Sequence, residues 1–269
     1  VQYLNEFEDV LNSLLHIRNA DVYVTGSNSK FLSSDVITQF RGRGDEIHVY
    51  PLSFSEYVPA YQGSVDEAWD DYLIYGGMPL ILTMAEPEDK AAYLNSLFQK
   101  VYISDIVERH DVRNKVELDE LVDILASAIG SYTNQSKLVR TFKSVKGKTI
   151  SDKTIKNYID YLIDSFLISK AVRYDIKGKK YIGSPSKYYF EDVGLRNARL
   201  GFRQVEQTHL MENIIYNELR IRGYHVDVGV VEYYGVNGEG KRGKKQLEVD
   251  FVATKGSEKH YIQSCLLYT

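Results

Sequence analysis

A short apolar run that ends in polar residues lies near the beginning of the chain. Residues 21–24 are typical of a buried strand, and Thr25-Gly26-Ser27-Asn28 follows as a polar turn. Apolar side chains at helical spacing precede this run over 3–18, and a second helical pattern follows over about 29–40. The next strand-like run covers residues 47–49. Helix, strand, helix and strand in this order predict the trailing half of a parallel α/β sheet.

The remaining sequence contains three regions with different patterns. Residues 54–110 read as helices that are interrupted at Gly76-Gly77-Met78-Pro79, and another helix is predicted at 117–129. A basic unit covers 134–190. A helix at about 209–222 then precedes three strand-like runs, at 224–234, 246–253 and 260–267. The pattern predicts several domains of mixed α/β and α+β class.

Composition excludes some classes of protein. No apolar run approaches the ~18 residues that span a bilayer, so the sequence predicts no membrane-embedded segment. The only cysteine is Cys265, which excludes an internal disulfide and favours a cytoplasmic location. The six histidines show no spacing typical of zinc ligands, and we predict no metal site from them.

Several short motifs occur in a specific order. Thr25-Gly26-Ser27-Asn28 is followed by the Arg41-Gly42-Arg43-Gly44 turn, by Pro51-Leu52-Ser53-Phe54-Ser55-Glu56-Tyr57 and by Tyr75-Gly76-Gly77-Met78-Pro79. This series resembles the archaeal-type AAA+ ATPases, in which the AAA domain is followed by a winged helix and a PD-(D/E)xK nuclease-like region. The resemblance implies ATP and Mg²⁺ as cofactors and a homo-oligomer in the complete protein.

The resemblance assigns roles to three residues of the first region. Asn28 matches the sensor that orients the attacking water, although an asparagine here could also cap the next helix. Arg43 falls at the position of an arginine finger, and Arg41 is a weaker candidate whose simpler interpretation is a solvated side chain. The sequence contains no G-x-x-x-x-G-K followed by Ser or Thr. We therefore expect the phosphate-binding loop and the metal ligands upstream, and no ATP hydrolysis by this chain alone.

The basic unit reverses the charge of a chain whose net charge is −4. Ser151 is a good N-cap for a helix that presents Lys153, Thr154, Lys156 and Asn157 on its polar face. A second basic stretch runs from Arg173 to Lys187 through a predicted hairpin, and its turn carries Lys177, Lys179 and Lys180. Helix, turn, helix and basic hairpin predict a winged helix-turn-helix, whose partner is duplex DNA. A winged helix that serves packing or protein contacts explains the same lysines.

The last segment resembles the PD-(D/E)xK fold, in which carboxylates hold Mg²⁺ for phosphodiester hydrolysis. Glu212 and Asp250 match the carboxylates. Gln263 stands at the glutamate position and Cys265 at the lysine position, and neither side chain replaces the original chemistry. The sequence favours a degraded site without metal over a catalytic one.

The resemblance and the patterns together predict four regions, which are the C-terminal part of an AAA+ core (1–58), a helical lid or linker (59–130), a winged helix-turn-helix (131–200) and a nuclease-like domain, complete or in part (201–269). The predicted function is that of a regulatory, DNA-associated ATPase. The alternative is a DNA-binding module, or a Mg²⁺-dependent nuclease, with vestigial ATPase character.

Overall fold

The computed structural model describes residues 7–26, 45–147, 149–236 and 242–265. The α-helices in these ranges are α1 (Phe7–Leu14), α2 (Phe54–Tyr57), α3 (Val65–Tyr75), α4 (Pro87–Leu97), α5 (Ser104–Arg109), α6 (Lys115–Ser127), α7 (Gln135–Lys146), α8 (Asp152–Asp164), α9 (Val193–Arg199) and α10 (Gln207–Ile221). Short 3-10 turns at Val58–Ala60 and Pro79–Thr83 and a π-helical turn at Phe98–Ile103 connect some of them. The strands are β1 (Ile168–Asp175), β2 (Lys180–Phe190), β3 (His225–Val236), β4 (Arg242–Lys255) and β5 (Glu258–Ile262).

The helices of the middle region begin at capping residues that the sequence supplies. Ser53 accepts a hydrogen bond from the Glu56 backbone N–H, and the Glu56 carboxylate accepts one from the Ser53 N–H. Ser64 and Glu67 form the same reciprocal capping box at the start of α3. These pairs satisfy backbone donors that a helix N-terminus would otherwise leave unpaired. The Ser53-x-x-Glu56 part of the sequence motif is therefore a helix start.

A single sheet organises the second half of the chain. Its strand order is β2-β1-β3-β4-β5, and all neighbours are antiparallel except β1 and β3. The parallel pair joins Arg173–Asp175 to Val228–Val230. This pairing unites the hairpin of the predicted winged helix with the strands of the predicted nuclease-like domain. The predicted boundary at residue 200 therefore does not coincide with a break in the sheet.

The elements of the basic unit occur in the predicted order. The side chain of Asn134 caps α7, and that of Ser151 caps α8 by accepting the Thr154 N–H. An isolated bridge between Thr133 and Ser186 ties the segment before α7 to β2. The predicted helices and hairpin of this unit are thus present, as is the mixed α/β class of the whole.

The strands predicted in the first region are not formed in the described residues. Residues 21–26 and 45–50 have no strand pairing, and the side chains of Tyr23, Ile47 and Val49 are 82%, 76% and 86% exposed. The expectation of buried strands there is wrong for these residues, because an apolar run forms a strand only when another strand pairs with it. The candidates Asn28, Arg41 and Arg43 lie outside the described residues. None of the described helices has the length and apolar composition to cross a membrane.

The two glycines of the Tyr75–Pro79 motif allow three segments to meet. The Leu52 N–H donates to the carbonyl of Gly77 (2.8 Å), and the Gly77 N–H donates to the carboxylate of Asp192 (2.7 Å). Asp192 also caps α9 by accepting the Leu195 N–H at 2.9 Å. Gly76 has φ +74°, a conformation that glycine adopts at little cost. We call these contacts the Asp192 junction, formed by Leu52, Gly76, Gly77, Asp192 and Gly194.

Close approach of backbones explains why glycine is required in this junction. A Cβ added at Gly77 would lie 2.2 Å from the Leu52 carbonyl oxygen, and one at Gly194 would lie 1.9 Å from the Tyr75 oxygen. Nearby, the Asn197 amide donates to the carbonyls of Leu73 and Ile74, which end α3. The junction thus fixes the loop after α3 against the start of α9.

Substitution of Gly77 tests this packing. We expect Gly77→Ala to lower the free energy of unfolding by about 1–3 kcal/mol, because the new methyl group meets backbone atoms that cannot rotate away. Gly183→Ala is the matched control, since a Cβ there has no atom within 4 Å and the φ of Gly183 is not positive. Thermal or urea denaturation of both variants measures the difference. Equal stability of the two variants would contradict the close approach.

Candidate functional sites

A cavity of about 630 Å³ opens between the first region and the helices that follow. Its lining includes Val24–Gly26 and Glu46–Val49 of the first region, together with Lys100, Ser104 and Asp105. Thr25 and Gly26 belong to the segment that leads to Asn28 in the sequence. The cavity therefore lies beside the residues that precede the predicted sensor Asn28 in the sequence.

Aromatic rings close one side of this cavity. The His48 ring lies 4.0 Å from the ring of Tyr50 and 4.7 Å from that of Phe166, measured between centroids. Burial is the main reason that the pKa of His48 falls below its ordinary value, and the charge of Glu191 opposes this effect. His48 is thus favoured in its neutral form at this contact.

The predicted DNA-contacting residues form two exposed groups. Lys153 and Lys156 are exposed at the beginning of α8, where Thr154 and Asn157 are half-buried. Lys177, Lys179 and Lys180 are exposed at the turn between β1 and β2. In the described part of the chain, none of these five lysines forms an ion pair. Their charge is therefore available to a partner.

A hydrogen bond to the Asp175 carboxylate stabilises the turn of the hairpin. The Asp175 carboxylate accepts the backbone N–H of Gly178 at 2.9 Å, and the Ile176 N–H donates to the carbonyl of Val230. The second contact continues the β1–β3 pairing to the edge of the turn. The hairpin is consequently fixed to the sheet, while its lysines remain exposed.

Two members of the second basic stretch do not belong to this surface. Arg173 is half-buried and donates to the carbonyl of Ser184. Lys187 is only 3% exposed. Both residues therefore lie apart from the exposed lysines of the turn.

Glu212 lies on α10, facing the sheet, and is paired with groups of β2. Its Oε1 accepts hydrogen bonds from Lys187 Nζ (2.9 Å) and from the Tyr189 hydroxyl (2.6 Å). Lys187 Nζ also lies 2.6 Å from Oε1 of Glu248 on β4. Lys187 and Tyr189 are two residues apart on one strand and therefore share a face of the sheet. We call Lys187, Tyr189, Glu212 and Glu248 the Lys187 cluster.

Charge keeps the lysine of this cluster ionised. Burial alone would lower the pKa of Lys187, but the charge of Glu212 and hydrogen bonds to both glutamates raise it above its ordinary value. Burial, followed by the charge of Glu212, raises the pKa of Tyr189, which remains a neutral donor. The cluster thus combines one ammonium with two carboxylates.

Asp250 has separate partners. It is 8% exposed, and its Oδ2 accepts hydrogen bonds from Gln263 Nε2 (2.6 Å) and from the Ser264 N–H (2.7 Å). Cys265, at the position of the nuclease lysine, is exposed. Asp250 and Gln263 are therefore in direct contact, and Gln263 acts as a donor to Asp250 through its amide.

The Mg²⁺ site implied by the nuclease-like resemblance does not fit these side chains. Within the described residues, no group of three His, Cys, Asp or Glu side chains is placed to hold a metal ion. An ammonium lies between Glu212 and Glu248, and amide donors occupy Asp250. Sequence reasoning missed the pairing of Lys187. A lysine that directly precedes the aromatic run Tyr188-Tyr189-Phe190 is a signal of an internal charge that needs a partner.

Comparison with known families assigns the middle of the chain to a family of unknown function. Residues 66–206 match a family described as a domain of unknown function, DUF8612. The chain belongs to this family. Residues 1–58 match the family described as an AAA domain, so the first region is of the AAA type that is found in ATPases.

Two relatives are similar over most of the chain. An uncharacterized protein of Haemophilus influenzae is 34% identical over 268 residues, which cover 98% of this chain and 63% of the relative. An uncharacterized protein of Methanocaldococcus jannaschii is 29% identical over 257 residues, which cover 91% of this chain and 55% of the relative. The chain thus spans less than two thirds of the length of either. No solved structure matches it.

The arrangement around Asp250 predicts the absence of nuclease activity. We expect supercoiled plasmid to stay intact with excess protein and Mg²⁺ or Mn²⁺, because the carboxylates are already engaged by Lys187 and Gln263. Gel electrophoresis measures nicking, and Asp250→Ala is the control that separates the protein's activity from a contaminant. Nicking by the wild type that disappears in Asp250→Ala would show that this interpretation is wrong.

Proposed function

We propose that the chain is the C-terminal portion of an AAA+-type ATPase of the archaeal-type family, with a regulatory role. The observation that carries the proposal is the match of residues 1–58 to an AAA domain. The motif series continues beyond that match, and its Leu52 and Gly77 are hydrogen-bonded in the Asp192 junction. This contact supports the interpretation that the AAA-type region and the DUF8612 region work as one unit.

In this proposal, two residues of the chain act on the phosphoryl group of ATP. Asn28 orients the attacking water, and the Arg43 guanidinium stabilises the charge that develops on the phosphoryl oxygens. ATP and Mg²⁺ are held by residues upstream of this chain in the complete protein. An arginine that completes the site of a neighbouring subunit implies a homo-oligomer. The cavity beside Thr25 and Gly26 supports a ligand site near the segment that leads to Asn28.

Replacement of Arg43 tests the assignment. In the complete protein, we expect Arg43→Ala to slow ATP turnover by about 10³-fold, since the transition-state charge loses its partner. The Kd for ATP should stay unchanged, because the arginine acts on a charge that is absent from the bound ground state. Steady-state turnover and nucleotide titration measure the two quantities.

Two controls accompany this variant. Arg113→Ala removes an exposed arginine in the loop before α6 and should change neither quantity. The ATP turnover of Arg41→Ala shows which of the two arginines in the glycine-flanked turn, Arg41 or Arg43, acts as the arginine finger. Equal turnover in the wild type and in Arg43→Ala would refute the arginine-finger assignment.

A second proposed function is contact with duplex DNA through a winged helix formed by α7, α8 and the β1–β2 hairpin. The observation that favours it is that the lysines of α8 and of the hairpin turn are exposed and unpaired in the described residues. The opposite face of α8 is buried through Ile155, Tyr158, Ile159 and Leu162. The helix is therefore anchored by its apolar face, and its basic end is available for phosphates.

The regulatory proposal also assigns a role to the remaining sheet. In the regulatory proposal, the winged helix serves as an adaptor, and the nuclease-like strands serve as a module that binds a target without cleaving it. The fixed hairpin supports this division, because its strand β1 pairs with β3 of the same sheet. DNA binding with vestigial ATPase character remains the alternative to a regulatory ATPase.

Charge reversal tests the contact with DNA. We expect Lys153→Glu/Lys156→Glu/Lys179→Glu to weaken duplex binding by at least about tenfold and to flatten its salt dependence, because each lost phosphate contact removes a slope of about 0.9. Fluorescence anisotropy with a labelled duplex at several salt concentrations measures both effects. Sequence selectivity should stay weak, since the lysines contact phosphates.

The matched control carries the same change in charge on other exposed positions. Lys170→Glu/Arg203→Glu/Lys259→Glu alters residues on β1, after α9 and on β5. If the lysines of α8 and the hairpin turn form a specific contact surface, only the first triple variant should lose much of its affinity for duplex DNA. Unchanged affinity in that variant would exclude this face as the contact.

A further inference from the structure

The Lys187 cluster departs from the metal chemistry that a nuclease-like fold implies. We infer that the ammonium of Lys187 is a built-in cation that takes the place of a divalent metal ion between Glu212 and Glu248. The inference goes beyond the proposed ATPase and DNA-binding functions and does not depend on either. It assigns to this chain a closed carboxylate site that becomes a divalent-cation site when the lysine is removed.

The ammonium of Lys187 bridges two carboxylates. Lys187 Nζ lies 2.9 Å from Glu212 and 2.6 Å from Glu248, so one cation contacts a carboxylate of the helix and a carboxylate of the strand. The ring centroid of Tyr132 lies 5.4 Å from the same nitrogen. A cation between carboxylates, with an aromatic face beside it, has the electrostatic surroundings that favour positive charge.

The ammonium and the Glu212 carboxylate are shielded from solvent. Lys187 is 3% exposed, and the side chains of Glu212 and Glu248 are 12% and 33% exposed. Two carboxylates that approach one point with this little solvent repel each other unless a positive charge lies between them. The ammonium supplies that charge, so no metal ion is needed for the sheet and α10 to pack.

The surroundings of Glu212 leave little space beside the lysine. Glu212 receives a second hydrogen bond from the Tyr189 hydroxyl, and its Oε2 faces the backbone of Gly130, where an added Cβ would lie only 3.0 Å away. Mg²⁺ and Mn²⁺ require about six oxygen ligands and usually keep several waters. The carboxylates cannot bind Lys187 and such an ion together. Removal of the lysine side chain frees both the carboxylates and the volume for the ion and its waters.

Thermal unfolding with and without Mn²⁺ tests the inference in the intact protein without nucleotide. The Tm of the wild type should not change with millimolar Mn²⁺. Lys187→Ala should lower the Tm by on the order of 10 °C in EDTA, because two buried carboxylates lose their counter-charge. Mn²⁺ should then restore most of the loss, and titration should show one additional Mn²⁺ bound per chain relative to the wild type.

The chain offers a matched control in another buried lysine. Lys90 Nζ lies 2.7 Å from both oxygens of Asp71, and their side chains are 8% and 14% exposed. Because Lys90 pairs with a single carboxylate, Lys90→Ala should lower the Tm without restoration by Mn²⁺. Lys187→Ala/Glu212→Gln should likewise lose the additional Mn²⁺.

A further variant covers the case in which Lys187→Ala does not fold. Lys187→Met/Glu212→Gln/Glu248→Gln leaves no uncompensated charge and should fold without any response to Mn²⁺. Folding of this triple variant, when Lys187→Ala fails, supports charge balance as the role of the lysine. Failure of both variants would mean that the shape of Lys187 is required, and would overturn the inference.

Two other results would also overturn it. One is a folded Lys187→Ala whose Tm and Mn²⁺ stoichiometry are unaffected by the metal. The other is a saturable rise in Tm of the wild type with Mn²⁺ that Glu212→Gln abolishes, because the carboxylates would then accept a metal ion beside the lysine. Neither outcome depends on ATP turnover or DNA binding. Failure of this inference would therefore leave the proposed functions unaffected.

Discussion

The buried carboxylate of Asp192 connects parts of the chain that are far apart in sequence. It accepts N–H donors from Gly77 and Leu195, and thereby joins the loop after α3 to the first turn of α9. Burial raises the pKa of this carboxyl to about 6, and hydrogen bonds from backbone amides oppose that rise. The contact requires glycine at two positions where backbones touch. A carboxylate without solvent is stable here only because those donors surround it.

The junction also connects the AAA-type region with the sheet. Leu52 bonds to Gly77, the Phe54 N–H donates to Glu218 of α10 at 2.8 Å, and α10 covers the sheet through Glu212. Arg220 of the same helix pairs with Glu191, which immediately precedes Asp192. One helix therefore contacts the end of the first region, strand β2 and the residue that follows β2. This continuity is the physical basis for the proposal that the regions act together.

The lysines show how burial separates chemical roles within one basic stretch. Lys177, Lys179 and Lys180 remain in solvent at the turn, whereas Lys187, a few residues later, is enclosed by Glu212 and Glu248. Side chains alternate between the two faces of β2, and the side chain of Lys187 lies on the face that α10 covers. This position explains why Lys187 is buried while the lysines of the turn are exposed. An exposed ammonium can attract phosphate at long range, but an enclosed one satisfies internal carboxylates. The same residue type thus serves the proposed DNA surface and the interior of the sheet.

The sequence by itself determined the local elements and the family resemblance, because helix caps, apolar spacing and glycine motifs are short-range signals. Ser53, Ser64 and Ser151 begin helices, and the helix before the last three strands lies where its pattern predicts. Tertiary structure alone decided that the β1–β2 hairpin shares one sheet with β3, β4 and β5, and that Lys187 lies between Glu212 and Glu248. Strand pairing and ion pairing join residues that are distant in sequence, and no local pattern specifies which partners meet.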